Sequence, residues 1–130
     1  MNYHITLLKI SFSLCVIMGM TLAIENVPLR ADEAGIASYY SYECAKLPMA
    51  NGRPFDPEKR TCASWFYKFG TVLQVKSLDT GKVTEVIVTD RGPNKRLVKQ
   101  GRIIDLSKRA FQDICRLEKG LTKVVVKVKQ

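Results

Sequence analysis

The run V-T-D-R-G-P at 88–93 constrains this chain more than any other stretch. Val86, Ile87, Val88 and Thr89 are β-branched residues that favour a pleated strand. They lead straight into Asp90, and Gly92-Pro93 then breaks the run, because proline brings no N–H to a ladder. An acid at a strand end where the backbone turns open lies at the rim of a β-structure, within reach of a ligand. G-R-I-I-D-L-S at 101–107 repeats the layout. There the short strand Arg102 to Ile104 delivers Asp105, and Ser107 is a good N-cap for a helix behind it.

The remaining elements are short. Val72 to Lys76 alternates apolar and polar residues, 78–82 turns the chain, and Val83 to Thr89 returns, which spells a hairpin. Ile36 to Tyr40, Thr61 to Ser64 and Val124 to Val128 read as further strands. Ser107 to Arg116 reads as a helix with Ala110, Phe111 and Ile114 on one face. Between Ser41 and Arg60 lies a long irregular segment punctuated by Pro48, Asn51-Gly52, Pro54 and Pro57, and a loop of that length in a small domain is usually functional. About six short strands and one real helix fit a closed small barrel better than an open sheet with bare edges.

Residues 1–23 stand apart. Lys9 is their one formal charge, Ile10 to Leu22 is almost wholly apolar, and Ala23 is a small residue suited to cleavage. This is the layout of a signal peptide. The apolar run is short of the roughly 20 residues a membrane span needs, so no stable span is expected after cleavage near Ala23, an uncleaved anchor being the alternative. Residues 24–34 read as a short leader and 35–130 as one domain. Removing Lys9 takes the formal charge from +9 to +8, so the exported part is the basic part. Outside the cytoplasm its acidic partners are anionic wall polymers and membrane surfaces rather than nucleic acid, the plainer alternative being a solvated basic surface.

Three cysteines remain after export. An oxidising compartment would let two of Cys44, Cys62 and Cys115 pair; Cys44 and Cys62, which flank one loop, are the preferred pair, and buried free thiols are the alternative. The one histidine, His4, lies in the signal. A domain without histidine runs no Ser-His or Cys-His mechanism and builds no histidine-liganded zinc site. Neither a metal nor a cofactor is expected. Two acids at strand ends in a basic exported domain make a glycan-cleaving or glycan-binding site the candidate.

The ordered set G-I-A-S-Y-Y at 35–40, A-N-G-R-P-F-D at 50–56, F-G-T at 69–71, V-T-D-R-G-P, G-R-I-I-D-L-S and Ala110-Phe111 resembles the rare lipoprotein A (RlpA) family. The resemblance implies a mainly β fold, a six-stranded double-psi β-barrel with one or two short helices. It also implies a periplasmic or wall-associated lytic transglycosylase acting on peptidoglycan glycan strands, with room for a divisome or wall-associated protein partner. Expansin-like and barwin-like domains are further relatives.

Carried over by position, the family's key aspartate in D-R-G-P falls on Asp90. The acid of its S-G-E-x-F-D motif falls on Arg53, and the histidine of its T-A-A-H motif falls on Ser64. Asp56 and Asp105 match their motif positions. The expected catalytic group is Asp90, with Tyr40, Asn51, Arg53, Ser64, Trp65, Arg91 and Asp105 along the substrate. One carboxylate suffices for a lytic transglycosylase, because the muramyl C6 hydroxyl is an intramolecular nucleophile. Arg53 suits a lactyl or stem-peptide carboxylate, which a guanidinium holds bidentately, or else is a solvated loop arginine. Asp56 before Pro57 and Asp105 before the helix also serve as turn or helix-start formers. Two other readings stand beside the enzyme: a non-catalytic, expansin-like wall-binding barrel, and a protein-binding or inhibitory domain.

Overall fold

A computed structural model describes residues 32–130. The expected signal peptide and all of the leader up to Ala31 lie outside the described residues. Six strands, β1 (Glu33–Tyr39), β2 (Thr61–Ala63), β3 (Val72–Ser77), β4 (Val83–Asp90), β5 (Arg102–Leu106) and β6 (Thr122–Val128), close into a barrel in the order β1-β5-β2-β4-β3-β6. Two helices decorate it, α1 (Lys95–Lys99) and α2 (Lys108–Ile114). Pairs β1/β5 and β2/β4 run parallel and the other four pairs antiparallel, so each parallel pair is joined through the rest of the fold. Among the described residues no helix is long and apolar enough to cross a membrane.

Alternation builds the barrel. Leu73 and Val75 on β3, Thr84, Val86 and Val88 on β4, and Thr122, Val124 and Val126 on β6 point inward and are buried, while their neighbours face out or lie partly covered. Ile104 and Leu106 complete the wall from β5. The open side is closed by α2, whose Ala110, Phe111 and Ile114 are fully buried on one face, as the spacing predicts. Tyr39 leans on Phe111 with ring centroids 4.8 Å apart. Asp113 on the outer flank of α2 accepts from Thr84 on β4 at 2.8 Å and from Arg60 at 2.6 Å, which straps the helix to the sheet.

The hairpin turn comes where the sequence puts it, with Gly81 at a φ of 76° that L side chains rarely adopt. Three expectations change. The first strand starts at Glu33, so Glu33 and Ala34, expected in the leader, pair with β6. Asp105 is not at a strand end: β5 continues to Leu106, held between β1 and β2. The two short helices are within what the resemblance implies; the first, α1, follows Asn94, whose side chain caps it by accepting from the Arg96 N–H at 3.0 Å. Its single turn leaves too little apolar periodicity to read from sequence. Finally, Cys44, Cys62 and Cys115 are all free thiols, so the preferred Cys44–Cys62 pair is not formed. Cys62 is fully buried, and burial pushes its thiol far above the ordinary range, which keeps it inert.

Ser107 is the residue on which the end of the fold turns. It is fully buried, its Oγ accepts from the Ala110 N–H at 3.2 Å, and its own N–H reaches the Thr61 carbonyl at 2.9 Å. Ser107→Ala is expected to cost about 1–2 kcal/mol through loss of the cap. The measurement is a lower urea midpoint at unchanged m-value.

Candidate active site

The site is a row of residues running across four strands. Ser38 on β1 stands opposite Asp105 on β5, Asp105 opposite Ala63 on β2, and Ala63 opposite Asp90 on β4. Residues in register on neighbouring strands share a face. The two acids therefore flank one β2 residue, with their Cα atoms about two strand spacings, roughly 10 Å, apart. Ala63, fully buried and nearly without a side chain, keeps the space between them clear.

Gly92 lies over this gap. A Cβ on it would come 3.2 Å from the Ala63 Cβ, 3.5 Å from Asp105 Oδ2 and 4.0 Å from the Tyr40 hydroxyl. Only a residue without a side chain lets the backbone settle so closely above the pair. The Gly92-Pro93 peptide is cis and Pro93 is buried.

Asp90, the last residue of β4, is partly buried and accepts three hydrogen bonds. The Tyr40 hydroxyl donates to Oδ2 at 2.8 Å, and the Ala50 and Arg91 N–H groups both donate to Oδ1 at 2.8 Å. Tyr40 is held in turn by Phe55, with ring centroids 4.9 Å apart. Burial first, then the hydrogen bond to Asp90, hold the Tyr40 hydroxyl far above the ordinary tyrosine range, so it stays a donor.

Asp105 lives in a different setting. Its Oδ1 accepts from the Ser38 hydroxyl and lies 3.5 Å from Arg102 Nε, which itself donates to Ser38 Oγ at 2.7 Å. Burial pushes the Asp105 carboxyl above the usual carboxylate range; Ser38 and Arg102 oppose that, and the charge of Asp90 adds to it. Asp105 thus feels the charge of Asp90.

The other expected site residues divide. Trp65 is 44% exposed, its Nε1 donates to the Pro93 carbonyl at 2.6 Å, and Lys95 Nζ lies 5.1 Å from its ring centre. Asn51 is half-buried, donates its N–H to the Thr89 carbonyl at 3.2 Å, and accepts from the Arg53 N–H at 3.0 Å. Arg53 itself is exposed. Arg91 directs Nη1 onto the Ser64 and Tyr67 carbonyls at 2.7 and 2.8 Å, with its guanidinium carbon 3.9 Å from the Phe69 ring centre. It thereby pins the loop that carries Trp65. Ser64 is buried and its Oγ accepts from the Phe66 N–H at 3.2 Å, so its hydroxyl serves the local backbone. Sequence reasoning missed Ala63, Gly92, Ser38 and the Ala50 N–H. Strand register and backbone donors leave no mark in residue identity, and only the Gly-Pro break pointed toward Gly92. Among the described residues no group of acids, cysteines and histidines is placed to hold a metal.

A closed six-stranded barrel with two parallel pairs has the architecture of a double-psi β-barrel. The family model described as "Lytic transglycolase" matches residues 32–126. The chain is 37% identical over 92 residues to the Treponema pallidum protein named probable endolytic peptidoglycan transglycosylase RlpA, covering 71% of this chain and 28% of that one. It is 35% identical over 113 residues to a protein of the same name from Nostoc sp., covering 81% and 29%. It is 33% identical over 110 residues to the Vibrio cholerae endolytic peptidoglycan transglycosylase RlpA, covering 85% and 40%. This chain belongs to the RlpA-like lytic transglycolase family, and it spans well under half the length of these relatives. In fold it is similar to the Streptomyces papain inhibitor (TM-score 0.62, 23% identity, covering 79% of this chain and 98% of that one). It is also similar to a Clavibacter michiganensis expansin in complex with cellohexaose (TM-score 0.57, 19% identity, covering 77% and 51%).

Gly92→Ala tests the close approach. Pressing a methyl onto Ala63 and Asp105 should cost about 1–3 kcal/mol in urea unfolding. It should also displace the NMR signals of the Asp90 and Asp105 carboxyls; unmoved carboxyl signals would show that Gly92 does not press on the pair.

Proposed function

We propose that this domain is a lytic transglycosylase that cuts peptidoglycan glycan strands without water and leaves 1,6-anhydromuramyl ends, with Asp90 as general acid and base. The observation that carries the reading is the row Asp105–Ala63–Asp90 with the Tyr40 hydroxyl donating to Asp90. The names of the RlpA relatives support it, and the apolar segment before residue 24 supports export to the wall.

The chemistry asks little of the protein beyond a proton and a fixed position. Asp90 gives its proton to the glycosidic oxygen as the bond from that oxygen to muramyl C1 breaks. The C6 hydroxyl of the same sugar closes onto C1, and its proton returns to Asp90. Atoms balance without a water molecule, and the acid is regenerated. Three donors fix the plane of the Asp90 carboxyl. The starting proton is the harder requirement. The neighbour of Asp90, Asp105, is the acid held above the usual carboxylate range, by burial first and also by the charge of Asp90, against Ser38 and Arg102.

The decisive experiment is mass spectrometry of fragments after mixing the purified protein with peptidoglycan, beside Asp90→Asn. Anhydromuramyl ends are expected from the wild type, with a loss of about 10²–10⁴-fold in the variant. Absence of cleavage, with retention on sacculi, would sink the enzymatic reading in favour of a wall-binding barrel. That second reading draws on the exposed rings of Trp65 and Phe69 beside the acids and on an arginine, Arg53, in the place of an acid.

A pH profile tests the acid pair separately. Asp105 is neutral below its raised pKa and charged above it, so whatever its proton contributes is lost as pH rises through that pKa. Asp105→Asn removes this titration, and the alkaline limb of kcat/KM that it produces should disappear. A limb unchanged in the variant would show that Asp105 takes no part in the pH dependence.

A further inference from the structure

Strands β3 and β6 take no part in the row that carries the acids, and their outer face is cationic. Val75 and Ser77 on β3 and Thr122 and Val124 on β6 are buried, so alternation turns Lys76, Leu78, Leu121 and Lys123 outward. Backbone pairing gathers them. Lys76 stands opposite Val125 on β6 and Val83 on β4, and the Leu78 N–H donates to the Lys123 carbonyl at 2.8 Å. A small hydrogen-bonded cluster beneath fixes both turns. Thr122 Oγ1 meets Ser77 Oγ at 2.7 Å and donates to Asp79 Oδ2 at 2.8 Å, which ties the β3–β4 turn to the start of β6. The two tips are therefore held as one surface.

Two properties set this surface apart from an ordinary solvated face. Leu78, Val83 and Leu121 are 54%, 51% and 45% exposed, so large aliphatic side chains stand in water at the tips of neighbouring strands. Around them are Lys76, Lys82 and Lys123, all exposed, and among the described residues none of the three forms a salt bridge. The acids close by are already matched, Asp79 by Lys119 Nζ at 3.1 Å and Glu85 by Lys129 Nζ at 2.9 Å. The uncompensated charge is thus carried wholly by lysine. A partner recognised by fixed geometry calls for the rigid fork of arginine, whereas lysine is a mobile point charge that suits a surface whose anions move. Aliphatic tips between such lysines fit the boundary where lipid head groups meet acyl chains, the lysine stems reaching back toward the phosphates. A soluble anionic polymer offers the leucines nothing.

We propose that the face formed by Lys76, Lys82 and Lys123, with Leu78, Val83 and Leu121 at its tips, is a docking surface for an anionic phospholipid leaflet. The protein lies on the leaflet and does not span it. This surface stands independently of the transglycosylase reading, because the acid row is built on β1, β5, β2 and β4. The barrel can therefore hold a leaflet and a glycan together.

The test is co-sedimentation with vesicles of the chain from Ile24 onward, which keeps the whole barrel and omits the apolar segment at 10–22. One vesicle is equal parts phosphatidylglycerol and phosphatidylethanolamine; the other is phosphatidylcholine alone. The anionic vesicles should carry the protein down and the neutral ones should leave it in solution. Raising ionic strength from about 0.1 M to about 1 M should release most of it, as screening shortens to about 3 Å. Lys76→Glu/Lys82→Glu/Lys123→Glu should weaken binding about 100-fold, each lysine at an anionic leaflet being worth about fivefold. Leu78→Ser/Leu121→Ser should weaken it about tenfold. All five positions are exposed, and an unchanged urea midpoint in each variant shows that the barrel is intact. Equal binding to both vesicles, binding to neither, or binding that survives the lysine reversal would overturn the surface. Binding that needs the lysines but not the leucines would make it a face for any polyanion and would overturn the leaflet as its partner.

Discussion

The carboxylate of Asp90 is the joint on which the site depends, because it ties three parts of the chain that sequence keeps far apart. Its Oδ1 holds the 46–60 loop by the Ala50 N–H, and its Oδ2 holds Tyr40 at the end of β1. Tyr40 in turn packs on Phe55, a buried residue of that same loop. A long irregular loop gains order this way without becoming a sheet, since a charged acceptor makes stronger hydrogen bonds than a neutral one. The group that would move the proton is thus also the group that assembles the walls around it. Its position comes from strand β4, and its orientation from three donors.

Close packing beside this carboxylate depends on a second device, the absence of side chains. Ala63 and Gly92 sit face to face, one from β2 and one from the turn after β4. Any larger pair would fill the gap between Asp90 and Asp105 or push the turn outward, since packed interiors tolerate little added volume. The charge of Asp90 then reaches Asp105 across the small gap. Burial raises Asp105 and the charge of Asp90 adds to it, while Ser38 and Arg102 limit how far. The balance leaves two acids of one residue type in unlike surroundings, one lined with donors and one held by a hydroxyl and a guanidinium.

Much of this was legible in the sequence, for reasons that can be named. The alternation of 72–76 and 83–89, the Ser107 cap and the Ala110-Phe111-Ile114 face are local patterns, and local patterns survive folding in a barrel with a buried interior. The resemblance to the RlpA family placed the closed barrel, and Asp90 was visible as an acid before a Gly-Pro break. What stayed hidden depends on register. That Asp105 lies within β5 opposite Ala63 follows from a pairing between segments some forty residues apart, and no single residue carries it. The roles of Arg91 and Ser64 were hidden for the same reason. Arg91 follows Asp90 in sequence, yet its guanidinium belongs to the Ser64–Tyr67 loop, and Ser64 turns its hydroxyl to its own backbone.

These placements change what the two departures at 53 and 64 mean. A serine that caps its own loop is a structural neighbour of the site rather than a weakened copy of a histidine. An arginine beside a proton-donating acid would oppose positive charge growing on the sugar ring, if its guanidinium reached that ring. Arg53 stands instead on the rim of a cleft beyond Asn51, exposed to solvent. Electrostatic strain on the oxocarbenium-like state falls with separation and with solvent.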